Sequence, residues 1–282
     1  MNEGMGWIVD ADVSGYFDSI DRTRLREALR HRVNDGRIVR LIGQWLRAGV
    51  REEGVLNHPE TGVVQGGTIS PVLAKIFLHQ VLDAWCEHEA QPRLQGRSFL
   101  IRFADDGVIG CELEVDARRR MAVLPKRFAR YGLTIHPTKT ALMAFGKPAG
   151  RSGADPRNGT CDFLGLTHDW TTSRRGFWVI KRRTARKRLR RTKKSLWRWC
   201  RANRHTPLEH QYHMLCLKLR GHVQYDGIQG NCRLLEEVLR WAEKAWRYWL
   251  SRRSSKSAIG WEKFQKLLET YVLPTPRIVH NI

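Results

Sequence analysis

The sequence predicts an α+β domain followed by a basic, helical one. Up to about residue 170, short apolar runs of strand length alternate with longer stretches of helical spacing, a mixture that suggests α+β. Beyond that point helical spacing dominates, and Lys and Arg crowd together. The length of 282 residues suffices for two domains with cores of their own. The expected division is residues 1–170 and residues 171–282.

Taken in order, GWIVDADV reads as a strand. Its alternation puts Ile8, Asp10 and Asp12 on one face and Val9, Ala11 and Val13 on the other. A helix is expected from about Arg22 to Arg47, and another from Pro71 to Glu89. Ahead of the second, in TGVVQGGTISPVLAKIFLHQVLDAW, Gly66 and Gly67 allow the backbone to approach a ligand closely. Gln65 can offer its amide to a sugar or a base. Ser70 suits the N-cap and Pro71 the first helical position, with Leu73, Ile76, Phe77, Val81 and Trp85 forming the buried face. A glycine turn opening an ordinary helix accounts for the same residues.

SFLIRFA and GVIGCE read as two strands joined at Asp105 and Asp106, with Gly107 available for the positive φ of a turn. In ARRRMAVLPKRFARYGL, Pro125 is expected to break or kink the helix. TALMAFG and CDFLGLTHDW follow as strand candidates, separated by a Gly- and Pro-rich loop over residues 146–160.

Fifty Lys and Arg against 28 Asp and Glu leave a net charge of +22. Such a balance implies a polyanionic partner, because cationic side chains gain affinity by releasing counterions condensed on phosphates. No apolar run of 18 residues exists to span a membrane, and MNEGMGWIVD lacks the basic and apolar regions of a secretory signal. Six scattered cysteines without a Cys-x-x-Cys pair read as reduced thiols, so the expected location is cytoplasmic. His210, His213 and Cys216 share two helical turns but lack a second ligand pair for zinc.

Residues 174–204 hold 15 Lys and Arg and no acid, with Trp178, Trp197 and Trp199 interleaved. Such a run would repel itself without a nearby anion, so nucleic acid contact is expected there. Arg182, Arg183, Arg186, Lys187, Arg190, Arg191, Lys193 and Lys194 are the residues expected to make it. Leu235, Val238, Leu239, Ala242, Trp246 and Trp249 recur at helical spacing and read as the core of a helical domain.

Adjacent aspartates repel each other, and alone such a pair is usually a solvated turn. A hairpin tip carrying Asp105 and Asp106, set beside Asp12 at another strand end, could instead bind a pair of divalent metals.

Together these blocks resemble the palm of a group II intron-encoded reverse transcriptase. DADVSGYFDSID resembles the block bearing the first metal-binding aspartate, which falls on Asp12. QGGTISPVLAKIFLHQVLD and RFADDGV resemble the QGG and YADD blocks, YGLTIHPTKTALMAFG the one whose lysine falls on Lys139, and CDFLGL the block that closes the palm. LKLRGHVQYDGIQGN and the C-terminal WEKFQKLLETYVLPTPRIVHNI resemble the maturase-specific thumb, or X domain. The pattern departs from the family at Val64 (usually proline), Lys75 (usually asparagine) and Phe103 (usually tyrosine).

The resemblance implies an antiparallel palm sheet with helices on one face, followed by an all-α thumb. It implies an RNA-directed DNA polymerase in which Asp12, Asp105 and Asp106 hold two Mg²⁺, with Mn²⁺ as a substitute. Phe17 matches the steric gate that selects dNTPs; Gln65, Gly66 and Gly67 line the nucleotide pocket, and Lys139 serves near the triphosphate. The implied partners are a primer–template duplex, dNTPs and structured intron RNA. Because the chain starts shortly before Asp12, the basic N-terminal fingers are expected to be absent. Two alternatives stay open: an RNA-binding splicing cofactor without polymerase activity, and an inactive remnant of a mobile element.

Overall fold

Val9 and Ala11 project from one face of strand β1 (Trp7–Ala11) into a core where neither keeps more than 4% of its surface exposed, as the alternation requires. The computed structural model describes residues 4–47, 50–52, 55–57, 61–63, 67–148, 159–254 and 258–281. It divides into two units, residues 1–161 and 162–282.

In the first unit β1 is followed by β2 (Val13–Ser14) and the single-turn helix α1 (Tyr16–Ser19). The helix expected over residues 22–47 is in fact two, α2 (Arg22–Arg30) and α3 (Gly36–Arg47). Each starts where an aspartate caps free backbone N–H groups. Asp21 accepts from Thr23 and Arg24, and Asp35 accepts from Arg37 at 2.7 Å. Strands β3 (Val50–Glu52) and β4 (Val55–Asn57) pair as a short hairpin.

Helix α4 (Ser70–Leu78) does not use Ser70 as its cap. Ser70 is already helical and buried, and Ile69 stands at the cap without a side-chain bond. The helix then widens into π turns over His79–Asp83 and Trp85–Ala90, which keep Val81, Leu82, Trp85 and Cys86 buried. Of the face expected to be buried, only Ile76 stays partly exposed, packed against the core.

Strands β5 (Ser98–Phe103) and β6 (Asp106–Cys111) form the expected hairpin. Its positive φ falls on Ala104 (54°), however, and not on Gly107, which already pairs within β6. Helix α5 (Glu114–Ala129) runs unbroken through Pro125, where burial of Leu124 and Phe128 on either side outweighs the missing N–H. With β7 (Thr134–Ile135) and β8 (Ala141–Ala144) the unit is complete. Its main sheet is antiparallel, in the order β5-β6-β1-β8.

The second unit opens with a three-stranded sheet, not with helices. Strand β9 (Cys161–Phe163) begins at the unit boundary, and a turn with positive φ at Leu164 and Gly165 leads to β10 (Leu166–Thr172). Strand β11 (Trp178–Thr184) then pairs with β10. The basic run is thus extended in its first part, where Trp178, Val179 and Ile180 favour a strand. The helices α6 (Arg186–Ala202), α7 (Leu208–Asp226), α8 (Cys232–Leu250) and α9 (Trp261–Thr270) follow.

Leu196, Leu215, Val238, Ala242, Trp246 and Phe264 form the core of this unit. The buried Trp246 donates its indole N–H to Gln211 at 2.9 Å. Cys216 belongs to that core, whereas His210 and His213 are exposed, so these three side chains do not share a face. No helix among the described residues is long and apolar enough to cross a membrane.

Candidate active site

Two strand registers converge on Asp12. Strand β1 pairs with β6 from Trp7↔Cys111 to Ala11↔Gly107, so one further step sets Asp12 against Asp106. On its other edge β1 pairs with β8 from Trp7↔Ala144 to Asp10↔Ala141, and two further steps set Asp12 against Lys139. The side chains meet as that register dictates, with Lys139 Nζ 2.8 Å from Asp12 Oδ2. Backbone bonds hold the corner: the Asp12 carbonyl accepts from His136 at 2.8 Å, and the Asp12 N–H donates to Thr140 Oγ1 at 3.4 Å.

Asp105 occupies the two-residue turn between Phe103 and Asp106, which pair with each other. The three carboxylates act on one another. Burial raises the Asp106 carboxyl above its ordinary range, the charges of Asp105 and Asp12 raise it further, and Lys139 opposes them. In return, the hydrogen bond to Asp12, its charge, and the charges of Asp106 and Asp105 hold the Lys139 ammonium above its usual range. Lys139 is therefore protonated at neutral pH and supplies a positive charge to the cluster.

These groups suit a hard divalent cation by donor chemistry: three oxygen ligands that repel one another, with an ammonium standing in for the cation on Asp12. Among the described residues, no three His, Cys, Asp or Glu side chains converge closely enough to hold a metal ion as they stand. Asp12 Oδ2 is engaged by Lys139 in this arrangement.

Two braces that sequence reasoning missed hold the hairpin tip and its floor. Arg102, 8% exposed, grips Asp83 with two N–H groups, Nε lying 2.6 Å from Oδ1. Its Nη1 donates to the Ala104 carbonyl at 2.6 Å, fixing the backbone beside Asp105. His79 Nδ1 lies 3.1 Å from the same Asp83. Arg102 lies two residues before the hairpin turn and Asp83 ends the QGG block, so proximity to those blocks was the available signal; a charge pair 19 residues apart was not. The second brace is Tyr16, whose hydroxyl donates to the Ala74 carbonyl. Burial raises its phenol well above the usual range.

Phe17 is partly buried beside Tyr16, with ring centroids 5.7 Å apart. The strap of residues 61–63 fixes its backbone. Val63 N–H donates to the Phe17 carbonyl at 2.8 Å and Gly62 N–H to the Ile20 carbonyl at 2.8 Å. Gly62 is essential there: at φ 84°, a β-carbon would lie 2.9 Å from the Asp18 backbone. Gln65 and Gly66 lie outside the described residues. Gly67 is described, and its carbonyl accepts from Ser70 N–H at 3.1 Å.

In the second unit, Arg186, Lys187, Arg190, Arg191 and Lys194 are exposed along α6, spaced so that they share one side of the helix. Two of the expected nucleic acid contacts are engaged within the chain. Arg183 lies 2.8 Å from Asp169, and Lys193 pairs with Glu237. Arg182 is half-buried on β11, paired in register with His168.

Residues 2–168 match the family described as reverse transcriptase (RNA-dependent DNA polymerase). Protein YkfC of Escherichia coli (strain K12) is 36% identical over 74 residues, covering 26% of this chain and 19% of that protein. Group II intron-encoded protein LtrA of Lactococcus lactis subsp. cremoris is 36% identical over 78 residues, covering 28% of this chain and 13% of LtrA. The matches thus span less than a fifth of each of these relatives. Apo telomerase from Candida tropicalis superposes with a TM-score of 0.50 at 13% identity, over 95% of this chain and 46% of that one, a likeness of fold. The resemblance to group II intron-encoded proteins is borne out.

Proposed function

Because the chain belongs to the reverse transcriptase (RNA-dependent DNA polymerase) family, we propose that it extends a DNA primer on an RNA template at Asp12, Asp105 and Asp106. The observation that carries this reading is the double register at Asp12, which brings a carboxylate from the β6 hairpin and the ammonium of Lys139 to one corner of the sheet. Asp12, Asp105 and Asp106 would hold two Mg²⁺, or Mn²⁺ in their place, and such a pair activates a primer 3′-hydroxyl and neutralises the leaving pyrophosphate.

The remaining work falls to the chain. Lys139 keeps its proton, pairs with Asp12 and would offer its ammonium to the triphosphate of a dNTP. Phe17, fixed by the Val63 N–H, presents the ring that excludes a ribose 2′-hydroxyl. By the family resemblance, Gln65, Gly66 and Gly67 would serve the nucleotide and template pocket. The Arg102–Asp83 pair keeps the Asp105 turn in one position, so that orientation is established before substrate binds.

Primer extension on poly(rA)/oligo(dT) with Mg²⁺ tests the assignment. Asp105→Asn should abolish extension while leaving RNA binding nearly unchanged, and undiminished extension in that variant refutes the site.

A second role rests on α6, whose exposed Arg186, Lys187, Arg190, Arg191 and Lys194 support a grip on the primer–template and on structured intron RNA, as in a splicing maturase. RNA binding that weakens steeply with salt, persists in Asp105→Asn and falls when these five residues are neutralised is the expected result. Binding that survives their neutralisation counts against it.

A further inference from the structure

Away from the carboxylates, the first unit contains a cavity of about 510 Å³ lined by parts of the helical stretch 75–91, strand β5 and helix α5. Its wall includes a buried cation without an ion-pair partner among the described residues. Arg120 is 3% exposed, and its Nε has no hydrogen-bond partner. Its remaining bonds go to neutral acceptors: Nη1 to Cys86 Sγ and Nη2 to Ser98 Oγ, each at 3.4 Å, long for the oxygen. Burial pushes the Cys86 thiol up to about 11, so it is no counter-ion at neutral pH.

Acids nearby are committed elsewhere. Asp116, one turn earlier on α5, accepts from the N–H groups of Gln95 and Gly96 at 2.8 to 3.3 Å. Asp83 is held by Arg102. A guanidinium out of water whose acceptors are one thiol and one hydroxyl, with the Trp85 ring centroid 5.6 Å from its Cζ, leaves Nε unsatisfied at a cost, and its planar fork matches the oxygens of a phosphate. Lys75 adds an exposed ammonium to the same wall, where the related blocks usually carry asparagine. Once Arg102 and Asp83 have cancelled, Arg120 and Lys75 face only Glu87, which is exposed and free to turn toward solvent.

We propose that this cavity binds the phosphate group of a small anion, with Arg120 as its buried fork and Lys75 as its outer charge. It is distinct from the Asp12 site, since neither Asp12, Asp105, Asp106 nor Lys139 lines it. The space exceeds one phosphate and admits pyrophosphate.

Thermal unfolding of the full chain, in pyrophosphate against chloride at matched ionic strength, tests this. The wild type should show a saturable rise in Tm. Lys75→Gln should weaken the apparent affinity about fivefold, and Arg120→Met should lose the rise. Without pyrophosphate, Arg120→Met should melt no lower than the wild type, because it removes a buried charge that no acid among the described residues pairs.

Equal rises in all three proteins would mean diffuse binding to a chain of net charge +22 and would overturn the proposal. A lowered melting point for Arg120→Met with an unaltered rise in Lys75→Gln would make Arg120 a structural plug and also overturn it. Should Arg120→Met fail to fold, the Lys75→Gln affinity decides alone. A short single-stranded RNA should bind the wild type and Lys75→Gln equally; loss of RNA affinity with an intact pyrophosphate response would assign the cavity to a nucleic acid backbone instead.

Discussion

Replacing Arg102 by Met keeps the stem of the side chain and removes the guanidinium that ties the Asp105 turn to Asp83. Removing one partner of a fully buried ion pair costs about 3–5 kcal/mol, and of an exposed one about 0–1 kcal/mol. Arg102 is 8% exposed but Asp83 is 25% exposed, and His79 lies 3.1 Å from the carboxylate that would be left behind. The pair therefore falls between the limits, at about 2 kcal/mol, and the lost bond to the Ala104 carbonyl adds about 1 kcal/mol. For a unit of this size, 1 kcal/mol shifts Tm by about 2–4 °C, so Arg102→Met should lower the transition of the first unit by about 6–12 °C.

Calorimetry on the full chain reads the shift, and a double-mutant cycle with Asp83→Leu isolates the pair. The coupling between the two substitutions should be about 2 kcal/mol, and primer extension should fall further than the loss of folded protein explains. A coupling below about 0.5 kcal/mol would show that the pair is incidental and refute the brace.

Three other outcomes follow from the same geometry. Lys139→Met removes the cation that competes for Asp12, so Mn²⁺ should bind the variant more tightly while extension falls; weaker Mn²⁺ binding would show that the ammonium does not compete. Gly62→Ala forces a β-carbon against the Asp18 backbone at positive φ, at a cost of about 1–3 kcal/mol, and by displacing Phe17 it should reduce discrimination between dNTPs and rNTPs, measured by competing incorporation. Burial disfavours ionised Asp226, but His222, Arg188 and Thr184 together hold its carboxyl below the ordinary range. On acidification the unfolded chain thus takes up this proton before the folded one does. The stabilisation is complete above the ordinary carboxylate range and lost as pH falls through it and below, so Asp226→Asn should flatten the acid limb of Tm against pH.

Periodicity made most of the first unit legible. Alternation in WIVDA and in the two runs flanking Asp105 and Asp106 became β1, β5 and β6. The helical stripe ending in Trp246 and Trp249 became the packed side of α8. What failed was local and had local causes. Asp35 restarts a helix where apolar spacing alone reads through. Ala104 accepts a positive φ because strand pairing uses Gly107. Pro125 is tolerated because Leu124 and Phe128 are buried on either side of it. A one-dimensional pattern carries no term for these tertiary demands.

Charge was legible in total but not in pairing. The run from Arg174 to Arg204 holds no acid, and self-repulsion within it was the reason to expect an external anion. Part of that repulsion is answered from inside the chain: Asp169 takes Arg183, Glu237 takes Lys193, and Asp226 takes Arg188. All three acids lie outside the run, so no count made within it could find them. The same reasoning narrows the basic surface, because cations already paired gain less by meeting phosphate than those still in water. The charge left for a nucleic acid is then concentrated where Arg186, Lys187, Arg190, Arg191 and Lys194 stand exposed on α6. Arg120 is the converse case, a cation that composition would file with the solvated ones but that folding buries with no paired acid among the described residues. Net charge bounds the class of partner, and only the pairing tells which cations remain to meet it.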